Sequence, residues 1–265
     1  MTFVKPKKFL GQHFLLDEQI SQNIAGQVLA EGSPFRILEV GAGTGALTKY
    51  LFQDKKFLTQ VIDIDSESIA YLKKTYPEHQ ANIIFQDVLS ADFRDIFNQE
   101  SDKKSVEFSI VGNFPYNISS QILFRVLKHK QLIPLMVGMF QKEVALRIAS
   151  NHGNKTYGIL SVLMQTFYDV NYLFEVPPEA FQPPPKVTSA VLRFTLRKNK
   201  TLSCSESVLF QTVKIAFNQR RKTLRNALKK FLPDSFDKEN SLLNKRAEEL
   251  SPADFEMLAC MIEKA

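Results

Sequence analysis

The sequence predicts an α/β protein: a mostly parallel sheet closed by an antiparallel strand, followed by a small helical C-terminal region. Three observations predict it. Short apolar runs alternate with segments of helical period from Arg36 to Leu196. The first run ends in the glycine turn Gly41-Ala42-Gly43-Thr44-Gly45. Beyond Arg197-Lys198-Asn199-Lys200 only helical period remains. A sheet domain over residues 1–198 and a helical domain over 199–265 are therefore expected, and 265 residues suffice for a large domain with an appendage.

The elements follow in order. Asp17 caps a helix expected to run through about Ala30, where Gly32-Ser33-Pro34 stops it. Arg36 to Val40 is the first strand, and the glycine turn leads from it into the helical pattern Ala46 to Leu51. Glycine is needed there because a tight turn takes positive φ, and a missing Cβ lets a ligand approach the backbone N–H groups at a helix start. Gln60 to Ile64 is the second strand and carries Asp63; Asn82 to Phe85 is the third and leads into Gln86-Asp87-Val88. The fourth, Val106 to Val111, delivers Gly112-Asn113-Phe114-Pro115-Tyr116. Leu132 to Phe140 reads as a fifth strand, Pro134 being tolerated near a strand start. Ser161 to Gln165 is helical, and Tyr168 to Val176 and Ser189 to Leu196 read as a closing antiparallel pair joined by the stiff loop Pro177 to Pro185.

Ligands of open α/β sheets sit beyond the carboxyl ends of the strands, so Gly41, Asp63, Asp87 and Asn113 converge on one crevice. Asp63 suits the hydroxyls of a ribose, and Asp87 suits the amine of an adenine. Asn113 and the Pro115 carbonyl are two neutral acceptors beside the Tyr116 ring, a set that can hold a planar amine against a stacking face. Gly41 to Ala46 also fits the dinucleotide pattern G-x-G-x-x-A, which keeps a nicotinamide enzyme as an alternative. The carboxylate at Asp87 favours S-adenosyl-L-methionine. Read singly, Asp63 and Asp87 are solvated loop carboxylates and Asn113 and Pro115 are turn formers; their joint placement at successive strand ends outweighs that reading.

Through these and other segments the chain resembles the small-subunit ribosomal RNA adenine dimethyltransferases of the KsgA type. The likeness covers nearly the whole sequence and rests on Lys8 to Leu15, Leu38 to Gly45, Gly112 to Ser119, Gln141 to Ala145, Tyr157-Gly158, Phe181 to Val187 and Phe217 to Arg225. The last two segments distinguish it from the resistance methyltransferases of the large subunit. The resemblance implies a Rossmann-like class I methyltransferase sheet. It implies cofactor contacts at His13, Leu15, Gly41, Asp63, Asp87 and Asn113, to which the glycine turn adds Gly43 and Gly45 and the neighbours of the two carboxylates add Ile64 and Val88. It implies base handling by Asn113, Pro115, Tyr116 and Phe181, with Phe181 over the target base opposite Tyr116. Phe114 stands where leucine is commoner, and is expected to narrow the space around the amine; Asp63 stands where glutamate is commoner. The substrate implied is a pair of adjacent adenosines in a hairpin loop near the 3′ end of 16S rRNA, each dimethylated during small-subunit biogenesis. A large-subunit 23S rRNA enzyme and a noncatalytic RNA-binding assembly factor are the alternatives.

In the C-terminal region, Val213, Phe217, Leu224, Leu228 and Phe231 fall on one helical stripe roughly 60° wide at 100° per residue. Arg220 and Arg221 border it, Lys222, Arg225, Lys229 and Lys230 lie across the other side, and no acidic residue occurs from Val208 to Leu232. Charged faces are usually merely solvated, but one so lacking in carboxylates is expected to meet RNA phosphate. The formal charge of +6 and pI near 9.1 agree with an anionic partner without requiring one. Cys204 and Cys260, and the histidines His13, His79, His129 and His152, show no metal-ligand spacing, so no metal is expected. The basic start lacks a following apolar segment, and Leu132 to Phe140 is too short to cross a bilayer. A cytoplasmic monomer without membrane contact is expected.

Overall fold

A computed structural model describes residues 4–30, 32–97, 106–198 and 200–265. The elements of the sheet-bearing part are β1 (Phe14–Leu15), α1 (Glu18–Gly26), β2 (Arg36–Val40), α2 (Thr48–Gln53), β3 (Leu58–Asp63), α3 (Ser66–Thr75), β4 (Ile83–Phe85), β5 (Ser109–Asn113), α4 (Ser119–Lys128) and β6 (Leu135–Gln141). After α5 (Lys142–Ala149) and α6 (Ile159–Phe167) come β7 (Tyr168–Val176), β8 (Phe181–Gln182) and β9 (Ser189–Leu196). The strands form a seven-stranded sheet in the order β4-β3-β2-β5-β6-β9-β7 and a separate β1-β8 ribbon. β4, β3, β2, β5 and β6 pair in parallel, and β9 joins β6 antiparallel, as the apolar runs predict. β2, β5 and β6 are buried along nearly their whole length, as expected of the inner strands of a parallel sheet.

Contacts divide the chain into two compact units, Met1–Ala145 with Asn171–Leu196, and Leu146–Val170 with Arg197–Ala265. The break after Leu196 lies beside the expected 198/199 boundary. The expectation differs at 146–170, which groups with the C-terminal helices. The reason is burial: α6 supplies the buried Val162, Leu163 and Met164, and the buried Tyr157 ring lies 6.0 Å from Phe217. A change of periodicity along the chain marks where strands stop, whereas apolar contact decides which unit a helix joins.

Local differences have local causes. α1 is capped by Asp17, whose carboxylate accepts the Ile20 N–H at 2.9 Å. It stops at Gly26 rather than near Ala30, because the Gln27 and Val28 N–H groups turn back to Ile24 and Ala25 in tighter i→i+3 bonds. β6 begins only after Pro134, which has no N–H to give a ladder. β5 starts later than expected but runs on to Asn113, which pairs with Met139 of β6.

The second unit contains α6, α7 (Glu206–Asn218), α8 (Leu224–Ala227) and α9 (Pro252–Lys264). α9 starts with a reciprocal cap: Ser251 Oγ accepts the Asp254 N–H at 3.1 Å, and Asp254 Oδ2 accepts the Ser251 N–H at 2.9 Å. Phe217 stacks on Phe255 at 5.8 Å, joining α7 to α9. The single basic helix expected from Val213 to Phe231 is broken. α7 ends at Asn218, and Thr223 is extended and bridges to Arg246, with the Leu224 N–H donating to Lys245 O at 2.8 Å. The apolar positions Val213, Leu224 and Leu228 are nevertheless fully buried. The helical stripe was therefore right about burial and wrong about continuity, because a long-range bridge replaces one helical turn.

Candidate active site

One cleft opens at the carboxyl ends of β2, β3, β4 and β5, roofed by residues 10–15. Its floor is the glycine turn, where Gly41, Gly43 and Gly45 all take positive φ. At Gly43 the need is double, since a Cβ there meets the Phe14 ring at 2.8 Å. Gly45 is not on the cleft wall. Its N–H closes the turn onto Ala42 O at 2.8 Å, and a Cβ would lie 2.9 Å from the Leu72 side chain, so its smallness serves packing against α3 and not the expected cofactor contact. The other expected cofactor residues, His13, Leu15, Gly41, Gly43, Asp63, Ile64, Asp87, Val88 and Asn113, all line the cleft.

Asp63 ends β3 with its carboxylate nearly buried. Oδ2 accepts the Gly43 N–H at 3.0 Å and Oδ1 accepts the Asp65 N–H at 2.8 Å. Burial raises its pKa, and those two backbone bonds oppose the rise. Asp63 thus braces the glycine turn, and a ribose hydroxyl must use its remaining lone pairs. Asp87 lines the cleft and accepts the Leu89 N–H through Oδ1 at 2.8 Å, a bond that leaves its other carboxylate oxygen for an amine.

Asn113 Nδ2 donates to the His13 carbonyl at 2.8 Å. A carbonyl only accepts, so the amide orientation is fixed and Oδ1 is the free acceptor. The Pro115 carbonyl already accepts the Ile118 N–H at 3.1 Å and keeps one lone pair. The Tyr116 hydroxyl meets Ser189 Oγ at 2.5 Å, and its ring stacks on the His13 imidazole with centroids 5.7 Å apart and planes 25° off parallel. His13 Nδ1 is in turn 2.7 Å from Pro183 O. Burial raises the Tyr116 pKa, partly offset by Ser189, so the ring is a neutral platform.

One aromatic residue, Phe181, lies elsewhere than expected. Phe181 is 3% exposed, pairs with Leu15 in the β1-β8 ribbon and packs in the apolar core, so it does not wall the cleft; His13 is the ring against Tyr116. The Phe114 ring is buried too. It lies over the paired Gly112 and Gly138, where added Cβ atoms would come within 2.8 and 2.3 Å of it, and meets Phe140 at 5.4 Å. Its ring fills space made by two glycines, while the residue also lines the cleft between Asn113 and Pro115.

Sequence reasoning missed Glu39. It lines the cleft, is 1% exposed, and accepts the Thr48 hydroxyl at 2.7 Å. Burial pushes its pKa up to about 8 against that hydrogen bond. The available signal was one charged residue in an otherwise apolar strand end just before a glycine turn. Also missed was Asp65, which holds Lys7 and Gln12 of the roof.

Among the described residues the cleft lining carries three carboxyl groups, on Glu39, Asp63 and Asp87, and no lysine or arginine. Such a donor set fits a cationic sulfonium nucleoside with ribose hydroxyls and an adenine amine; the two phosphates of a nicotinamide dinucleotide would meet like charge. Over residues 4–264 the chain matches the family model described as ribosomal RNA adenine dimethylase. The chain belongs to that family. It is 50% identical to the ribosomal RNA small subunit methyltransferase A of Cytophaga hutchinsonii, over 99% of both chains, and 49% identical to the protein of that name from Bacteroides thetaiotaomicron, over 100% of this chain and 97% of the relative. Among solved structures it resembles a dimethyladenosine transferase from Plasmodium falciparum, with TM-score 0.74, 26% identity, and coverage of 94% of this chain and 96% of that one. The 23S rRNA methyltransferase ErmE shares the fold, with TM-score 0.68 at 21% identity over 94% of this chain and 99% of that one. For this dimethylase-family chain the fold is thus the class I methyltransferase sheet.

In the second unit the expected RNA-binding residues divide by surroundings. Arg220 lies 3.6 Å from Glu248 and donates to Asn154 O at 3.2 Å, and Arg225 donates to Lys238 O and to Asn244 Oδ1. Both tie loops within the unit. Arg221, Lys222, Lys229 and Lys230 are exposed.

Proposed function

We propose that this protein transfers methyl groups from S-adenosylmethionine to the exocyclic amines of two adjacent adenosines in a hairpin loop near the 3′ end of 16S rRNA, during small-subunit biogenesis. The observation that carries the reading is the Asn113 amide, which lines the cleft with Tyr116 and is pinned through Nδ2 so that Oδ1 is its acceptor. When bound, S-adenosylmethionine supplies an electrophilic methyl group. Asp63 and Asp87 match its hydroxyls and amine, and the buried Glu39 carboxyl supplies negative charge for the sulfonium where it ionises. The amine of adenine is a poor nucleophile because its lone pair is delocalised into the ring. Asn113 Oδ1 and the Pro115 carbonyl each take one amine hydrogen, which draws the nitrogen out of plane and aims its lone pair. Tyr116, backed by His13 and tethered by Ser189, offers its remaining face to the base. Methyl transfer to that nitrogen would leave the carbon–sulfur electron pair on sulfur as a neutral thioether, and the alkylated amine would release its proton to solvent. A base must leave its stack to reach this site, and an unpaired loop adenosine does so at least cost.

The names of the Cytophaga and Bacteroides relatives support the small subunit as substrate. The test is to incubate under-methylated small subunits with a labelled methyl donor and map the modified nucleosides by mass spectrometry. Dimethyladenosine in small-subunit RNA is expected, with large subunits unlabelled. Label confined to large subunits would sink the assignment.

A further inference from the structure

Phe9 is the most exposed large apolar side chain among the described residues, at 78%, yet the turn that bears it is firmly held. The Leu10 and Gly11 N–H groups close on Lys7 O and Lys8 O at 3.1 and 3.0 Å, and Gly11 takes the positive φ the turn requires. The Lys7 backbone N–H donates to Gln12 Oε1 at 2.8 Å. The Gln12 amide reaches Asp65 Oδ2 at 3.1 Å, and the Lys7 ammonium pairs with Asp65 and Glu67. Leu10 to Leu15 line the cleft, so this turn is its rim. Lys5 and Lys8 precede Phe9 in the same short segment and are exposed. Lys7 is thus spent on anchoring, and two cations and one ring are presented outward beside the place where the base enters.

Resting on the adenosine-methylating reading above, we propose that Phe9, Lys5 and Lys8 form a subsite for the nucleotide next to the target adenosine, with its base stacked on Phe9 and its phosphates against the two lysines. A flat aromatic side chain accepts any base, and adjacent ammonium groups neutralise the backbone that carries it. An extruded adenosine has a neighbour that has lost its stacking partner, and Phe9 supplies one.

The chain has no tryptophan, so Phe9→Trp places a single reporter on the rim. Its fluorescence should be quenched by a hairpin RNA with unpaired loop adenosines. A control Phe35→Trp should not respond, since exposed Phe35 precedes the amino end of β2, opposite the carboxyl end at which the cleft opens. Phe9→Ala should raise the KM for under-methylated small subunits about tenfold, the share of one base stack. It should leave kcat and calorimetric S-adenosylmethionine affinity unchanged, and tyrosine but not leucine should rescue it. Lys5→Ala with Lys8→Ala should flatten the salt dependence of hairpin binding by about 1.4 in logarithmic slope. An unresponsive tryptophan and an unchanged KM, in an enzyme whose wild type methylates small subunits, overturn the subsite alone. A wild type inert on small subunits overturns the underlying reading, while the fluorescence titration still decides whether Phe9 meets RNA.

Discussion

Glu39 keeps its proton in the folded chain up to about pH 8, whereas an unfolded glutamate loses it near 4.5. Between those values the unfolded state binds fewer protons, so stability falls as pH rises. Glu39→Gln retains an oxygen for the Thr48 hydroxyl and removes the titration. It should therefore raise the melting temperature at pH 8 and flatten the loss of up to roughly 1.4 kcal/mol per pH unit across that window, measured by calorimetry from pH 5 to 9. A cationic ligand favours the ionised form, so S-adenosylmethionine affinity should rise with pH through about 8 in the wild type and lose that rise in the glutamine variant. Asn113 makes a separate demand. Asn113→Asp keeps an acceptor, but sets a carboxylate oxygen against the His13 carbonyl where the amide now donates at 2.8 Å. It should lower kcat about 100-fold, as alanine does, with RNA binding retained in both. An aspartate variant of full activity would show that the amide orientation is immaterial.

β5 and β6 approach where Gly112 faces Gly138, and the Phe114 ring occupies the room both leave. Gly138→Ala forces a Cβ to 2.3 Å from that ring, with Phe140 behind it at 2.9 Å, and should cost about 1–3 kcal/mol in denaturant unfolding. Phe114→Leu frees that space, so adding it to Gly138→Ala should recover much of the loss; strictly additive effects would refute the contact. At this scale the legible parts were local. The apolar run into Gly41 and the run into Asn113 each carry their own turn chemistry, and both deliver their residues to the cleft. What was illegible depended on distant partners. Nothing near Phe181 shows that its backbone will pair with Leu15 and its ring enter the core, and nothing near Thr223 shows that Arg246 will interrupt a helix. Glu39 was legible in principle as a charge in an apolar strand, but its meaning depends on burial, which sequence does not state.

Across the whole chain the formal charge is +6, yet the cleft has no cation on its walls. The positive charge available for phosphate lies outside the site, as it must if a cationic donor and a polyanionic substrate are to be held by one protein. Among the described residues no helix is long and apolar enough to cross a membrane. In the second unit the basic residues are of two kinds, and the difference is testable. Arg220 and Arg225 hold Asn154, Glu248, Lys238 and Asn244, so alanine at either should lower thermal stability. Arg221, Lys222 and Lys229 are exposed, and surface changes of this kind shift stability by only about 0.5 kcal/mol or less. Replacing these three by alanine should leave the melting temperature near wild type. It should also flatten the plot of log affinity for small-subunit RNA against log salt by roughly 2 to 3, one increment per lost phosphate contact. The same triple variant, given saturating RNA at low salt, should keep its kcat, because none of the three residues reaches the cleft lining. An unchanged salt slope would leave those residues as solvated charge and move the RNA contact to other parts of the surface.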